Sequence, residues 1–179
     1  QKRRMAAITG TDVEGLLHFD YLLVALGRRA AAATVGGFHE FAHHLLDLES
    51  ADKFRSAIDS FTAGSIVVAL APGGTLPIPV CETALGLADK FAAAIKKGTV
   101  SVSAVFPRGI DDALHGAGLF RDIGGAFEKK AVDLVENFPV ERVTPRALYS
   151  VNGSCLRADL LMVVPPSRGH SRLLAQTTG

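Results

Sequence analysis

The sequence predicts an α/β fold: a three-layer lobe with a parallel sheet, helices on both sides of it, and an antiparallel β-hairpin layer. Three observations carry this. Apolar runs closed by glycine or proline alternate with stretches of helical periodicity, the connections between runs are long enough for crossover helices, and an Asn-Gly pair near the end separates two strand-like runs.

The elements follow in order. "FDYLLVALG" (19–27) is a continuous apolar run closed by Gly27, the pattern of a strand buried on both faces. In "DLESADKFRSAIDSF", Asp47 is placed to cap a helix that sets Ala51, Phe54, Ile58 and Phe61 on one packing stripe. "SIVVALA" (65–71) reads as the next buried strand, and a Gly/Pro-rich loop leads from it into a helix over 80–97. Lys96 and Lys97 suit that helix's carbonyl end, and Gly98 turns the chain. "TVSVSAVF" (99–106) alternates as a strand does, and Ile123, Phe127, Ala131, Leu134, Val135 and Phe138 mark a further amphipathic helix. "RALYSV", a two-residue turn at Asn152-Gly153 and "SCLRADLLMVV" predict a hairpin. The beginning of the chain, "MAAITGTDVEGLLHFDYLLVALG", repeats that plan of strand, polar turn and strand. Asp20 opens its last apolar run as Asp159 opens "DLLMVVPP". The two ends read as copies of one motif, which divides the chain into a strand pair and connector (1–46), a second lobe (47–170) and a tail (171–179).

Composition narrows the function. With 179 residues and 48% hydrophobic side chains, the sequence is too apolar for a disordered chain. Nineteen basic and eighteen acidic residues leave a net charge of +1, with no basic run beyond "KRR", so no nucleic-acid partner is expected. No apolar run approaches the roughly 20 residues of a membrane span and no signal-peptide pattern precedes the first strand, so the expected location is cytoplasmic. Cys81 and Cys155 are far apart without a CxxC partner, which argues for reduced thiols and against a zinc site. His39, His43 and His44 cluster near Glu40, but just before a helix cap and without a thiol, so they read as a solvated connector rather than a metal site.

"FDYLLVALG", "AHHLLDLESADKFRSAI", "IVVALAPGGTLPIPVCETALGLADKF" and "ADLLMVVPPSRG", in that order, resemble the FAD-dependent pyridine nucleotide-disulfide oxidoreductase superfamily, most of all its sulfide:quinone oxidoreductase and flavocytochrome sulfide dehydrogenase branch. The resemblance covers most of residues 5–170 and implies a Rossmann-like lobe. It corresponds to the middle portion of such an enzyme, without the GxGxxG lobe that holds the ADP part of FAD. What it implies is part or one subunit of a flavin-dependent oxidoreductase passing electrons from a reduced sulfur compound or NADH to a quinone-like acceptor. FAD would then be bound with the missing lobe or a partner flavoprotein chain, and membrane contact would be peripheral, through the quinone.

The loop after residue 71 is the centre of that reading. A dinucleotide fingerprint needs glycines at fixed offsets, whereas "APGGTLPIP" offers Gly73 and Gly74 together, then Pro77 and Pro79, which remove N–H donors where a pyrophosphate would want them. The pattern argues for a degenerate loop and against a working NAD(H) site. In the resembled branch this loop leans toward the flavin and bears a redox cysteine ahead of a Pro-x-x-Glu. Pro79 and Glu82 match the latter, Thr75 or Leu76 stands where the cysteine belongs, and Cys81 falls beyond the proline. Cys81 is either a nucleophile activated at a helix N-terminus or a small buried residue. Glu82 is either a proton-handling acid or a partner of the helix dipole. Gly73, Gly74, Thr75 and Pro79 are the cofactor-side candidates, with Gly27 matching the glycine of the family's A-T-G turn although Leu26 replaces its threonine. Arg168 and Arg172 follow the Pro-Pro exit, either near the cofactor or in a solvated tail; Cys155 is assigned no chemistry. Two other readings remain: a non-catalytic Rossmann-like assembly module and a stand-alone nucleotide-binding lobe. The strand pair at the start is expected to expose apolar surface and drive homo-oligomerisation or partner binding.

Overall fold

Alternation along one strand explains the layering. In the computed structural model, Ile66, Val68 and Leu70 face one apolar cluster while Val67, Ala69 and Ala71 face another, the period-2 pattern of a strand buried on both sides. The structure describes residues 5–8, 15–21, 23, 25, 27–31, 34–114 and 120–169. Their contacts divide into two units, Arg29–Arg168 and a smaller one formed by Gln1–Arg28 with Gly169–Gly179.

In the smaller unit, β1 (Met5–Ile8) pairs antiparallel with β2 (Gly15–His18), as the strand-turn-strand pattern predicts. The next prediction is overturned. None of the described residues of 19–27 is in a strand, and Tyr21 and Leu23 are 94% and 90% exposed. A run buried on both faces needs a strand on each side, and no strand pairs with these residues among those described.

The larger unit begins at Arg29, within β3 (Arg28–Ala30), and continues with α1 (Phe38–Phe41) and α2 (Leu48–Ser60), whose cap is the one predicted: the Ser50 N–H donates to the Asp47 carboxylate at 2.7 Å. Then come β4 (Gly64–Leu70), α3 (Ile78–Lys90), α4 (Ala92–Lys96), β5 (Val100–Val105), α5 (Ile110–Ala113), α6 (Phe120–Lys129) and β6 (Val132–Val135). β7 (Val140–Thr144), β8 (Ala147–Ser150) and β9 (Cys155–Arg157) form an antiparallel sheet, β10 (Leu160–Val164) returns to the parallel sheet, and β11 (Ser167–Gly169) pairs with β3. The parallel sheet has the order β10-β4-β5-β6. The long helices α2, α3 and α6 pack on one face; the other is covered by the antiparallel sheet and Phe38 of α1, so the layers run helix, parallel sheet, antiparallel sheet. Helices thus lie on both sides of the sheet as expected, the long ones on one face and the short α1 with the antiparallel layer on the other.

Three boundaries differ from the sequence reading. The helix expected over 80–97 breaks at Phe91, which caps α3 and starts α4, and Gly98 ends α4 at φ +73° as predicted. The helix expected to reach Phe138 stops at Lys129: Ala131 takes φ +52°, and Val132–Val135 alternates as a strand beside β5. The hairpin turn is four residues long. Gly153 alone of its Asn-Gly pair has positive φ, and the Asn152 side chain instead accepts from the Ser154 N–H at 3.1 Å.

The start of β10 is pinned in register. The Asp159 carboxylate accepts from the Ser65 N–H at 3.0 Å, the Ser65 hydroxyl at 3.1 Å and Arg157 Nη2 at 3.0 Å. Arg157 and the Ser65 backbone hold its carboxyl at about 2, well below the usual carboxylate value. Gly64 is needed for this approach, since a Cβ there would lie 2.6 Å from the carboxylate.

Candidate functional site at the carboxyl end of the parallel sheet

β5 and β6 extend the sheet to one side of β4, and β10 joins from the other. The order therefore reverses beside β4, and the carboxyl ends of β4 and β10 flank the crevice where open α/β sheets bind ligands. The loop between β4 and α3 occupies that place. The Ala71 N–H donates to the Val164 carbonyl at 3.0 Å, tying the loop to the exit of β10.

The loop then uses its glycines on itself. The Gly74 N–H donates to the Ala71 carbonyl at 2.9 Å, closing a turn with Pro72 in the second position and Gly73, at φ +77°, in the third. A Cβ on Gly74 would meet Leu70 Cδ1 at 2.6 Å and the Ala71 carbonyl at 2.9 Å, so glycine is required there by the turn alone. Pro77 caps α3 and Pro79 is its second residue; neither has an N–H, and the N–H groups of Val80 and Cys81 both donate to the Pro77 carbonyl, at 3.0 and 3.2 Å. A diphosphate would find neither the Gly74 N–H nor any donor at residues 77 and 79 here.

A second feature points the same way. A dinucleotide-binding lobe places an acid at the end of the strand that follows its glycine loop and helix, to accept the ribose hydroxyls. At the end of β5 stand Val105 and Phe106, both buried, with Phe106 bonded through its backbone to Val135 and Phe138. The sequence itself carries this signal, since "TVSVSAVFPRG" has no acid at the strand's end. The site does not fit a nicotinamide dinucleotide in that mode.

Cys81 is buried and belongs to the helix-side core with Val80, Ala84, Leu87 and Ala88. Burial, reinforced by the neighbouring Glu82 charge and opposed by a backbone hydrogen bond, pushes its thiol up to about 11. The expected lowering at a helix N-terminus is thus reversed, because the fourth helical residue here faces the sheet. Glu82 is exposed and lies beyond the first turn, which contains no acid, so the dipole-partner role expected for it there does not apply. Adjacent in sequence, the two residues face different surroundings. Thr75 and Leu76 are exposed, and Pro79 is half-buried. Gly27, in the smaller unit, has φ +70° and no atom within 4 Å of a built Cβ. Leu26, Arg172 and the Arg168 side chain lie outside the described residues. Cys155 is exposed.

What the carboxyl end does present is apolar. His43 bridges β10 in parallel and α2 runs back from there, so Leu45, Leu46 and Leu48 reach the same end of the sheet as Leu76 and Ile78, and all five are exposed. No group of three or more His, Cys, Asp or Glu side chains suited to a metal occurs among the described residues. Nor is any helix among them long and apolar enough to cross a membrane.

No family model matches the chain. Solved structures do. The sulfide:quinone oxidoreductase of the hyperthermophilic bacterium Aquifex aeolicus aligns over 94% of this chain and 43% of its own, at 19% identity and TM-score 0.74. NDH2 from Plasmodium falciparum, solved in complex with NADH, aligns over 89% of this chain and 37% of its own, at 18% identity and TM-score 0.60. A NAD-dependent persulfide reductase from A. fulgidus aligns over 98% of this chain and 31% of its own, at 20% identity and TM-score 0.57. The chain therefore has the Rossmann-like fold present in these oxidoreductases, and it spans less than half the length of each.

Proposed function

We propose that this chain is the second lobe, with its adjoining strand pair, of a flavin-dependent oxidoreductase similar to sulfide:quinone oxidoreductase. In this reading it moves electrons from a reduced sulfur compound or NADH to a quinone-like acceptor. FAD is held by another lobe or a partner chain, and membrane contact is peripheral, through the quinone. The observation that carries the reading is the loop after β4, whose Gly74 N–H is taken by Ala71 and whose helix entry holds two prolines, beside five exposed apolar side chains. Such an end suits the face of a flat apolar ring better than a diphosphate. The lobe's contribution is to bind and orient, since its thiol beside the loop is buried and protonated.

The test is the visible spectrum of the complete protein to which this lobe belongs, or of the chain together with its partner flavoprotein chain, after incubation with FAD and gel filtration, with and without NADH. Retained flavin absorption supports the reading. A colourless protein stabilised by about 2.7 kcal/mol at a hundredfold excess of NADH over its Kd would overturn it in favour of a stand-alone nucleotide lobe. A colourless protein indifferent to both would favour the non-catalytic assembly module, a reading that the burial of Cys81 also supports. The exposed Tyr21 and Leu23 support self-association or a partner chain. Sedimentation over a concentration series should then show mass increasing, and a monomer throughout would count against it.

A further inference from the structure

The three histidines of the connector pack on two phenylalanines, His39 and His44 on Phe38 and His43 on Phe54. The Phe38 ring is buried in the cluster shared by β7 and β10; His44 lies flat on it, with centroids 5.3 Å apart and planes at 8°, and His39 meets its edge at 5.1 Å. His43 is tilted against Phe54 of α2 at 5.3 Å. The same segment makes backbone joints at both ends. The Gly36 N–H donates to the Glu141 carbonyl at 2.9 Å and the Gly36 carbonyl accepts from the Val143 N–H at 2.8 Å; the His43 N–H donates to Leu161 and its carbonyl accepts from Val163, both at 2.9 Å. Residues 36–44 thus strap the antiparallel layer to the open edge of β10.

His44 Nδ1 is buried and has no hydrogen-bond partner among the described residues, so a proton placed there would find no acceptor. The groups around the two rings are His39 on α1, Asp47 at the α2 cap and Lys53 on α2. Asp47 favours charge on His44, while His39 and Lys53 oppose it. Lys53 is itself paired with Glu49. β10 carries no titratable side chain, and β7 contributes Glu141 and Arg142, both exposed, with Arg142 3.5 Å from the centre of the Tyr149 ring. Burial above all holds both imidazoles below their usual 6.5, helped at His43 by the His44 charge and at His44 by His39 and Lys53 acting against Asp47.

We propose that residues 36–44 form an acid-released strap: neutral His43 and His44 hold it on the edge of β10, and their protonation lets it open. The open state takes up protons more readily than the closed one. The strap is therefore fully held above about pH 6.5 and weakens as the pH falls from there toward the lowered values. Opening frees the backbone groups of Leu161 and Val163, an edge able to pair with another strand.

The test is amide hydrogen exchange of the full chain at pH 7.5 and 5.0, corrected for intrinsic rates, with an NMR titration of the imidazoles. Each proton taken up on opening raises the opening constant by at most about tenfold per pH unit. Protection at His43, Val143 and Val163 should fall about tenfold or more while Val67 and Val68 hold. The double variant His43→Phe with His44→Phe should lose that dependence. Equal loss at Val67 and Val68, an unchanged dependence in the double variant, or wild-type imidazoles titrating at or above 6.5 would each overturn the strap; the last needs no variant to fold.

Discussion

"DYLLVALG" (20–27) and "DLLMVVPP" (159–166) begin alike and behave differently. The second is a strand flanked on one side by β4 and on the other by His43, with Leu161, Met162 and Val163 buried and Asp159 locking the register against Ser65. The first exposes Asp20, Tyr21 and Leu23. An acid followed by apolar residues is thus a strand only where neighbouring strands supply the other half of its hydrogen bonds.

The contrast is broken most severely by placing one charge in each copy. Val163→Asp, an unpaired carboxylate at a fully buried site, should cost about 4 kcal/mol or more, whereas Leu23→Asp should stay within about 0.5 kcal/mol. Urea denaturation of the two variants would show it, and equal losses would mean that both copies are buried in solution. Next in size are the two acids. Asp159→Ala leaves the Ser65 N–H without its carboxylate partner, a loss of about 1–3 kcal/mol, while Asp20→Ala should be nearly silent. The pH dependence sharpens this. Because folded Asp159 binds its proton less readily than the unfolded chain, its contribution is present above about pH 3.8 and is lost as the pH falls through about 2. That part of the acid transition should vanish in Asp159→Ala and persist in Asp20→Ala.

The loop exits give a smaller effect. Gly74→Ala puts a Cβ 2.6 Å from Leu70 and should lower the melting midpoint by several degrees, equivalent to about 2 kcal/mol. Gly27→Ala meets no atom and carries only left-handed backbone strain of about 1 kcal/mol. The smallest is Ser65→Ala, which removes one hydroxyl bond to Asp159 and keeps the backbone one. About 0.5–1 kcal/mol is expected from the same denaturation curves.

Elements whose signals are local were legible. The Asp47 cap, the alternation of "SIVVALA" and the prolines beside Gly73 and Gly74 state their conformations without help from elsewhere. Those that failed share a cause. Leu134 and Val135 continue a helical stripe on paper, yet they pair with β5 because Ala131 turns the chain first. Cys81 sits near a helix start, as a reactive thiol would, but which face of α3 is buried decides its acidity.

By itself the sequence determined the class of fold and the turn and proline-bearing helix entry of the loop after β4, since proline and glycine act through their own backbones. Only the tertiary structure decided that the Gly74 N–H is spent within its turn, that the thiol is buried, that two histidines pack on Phe38 and a third on Phe54, and that one of two similar runs is a strand. Those outcomes depend on which distant segment lies alongside, and burial and strand pairing are properties of neighbours that no local pattern contains.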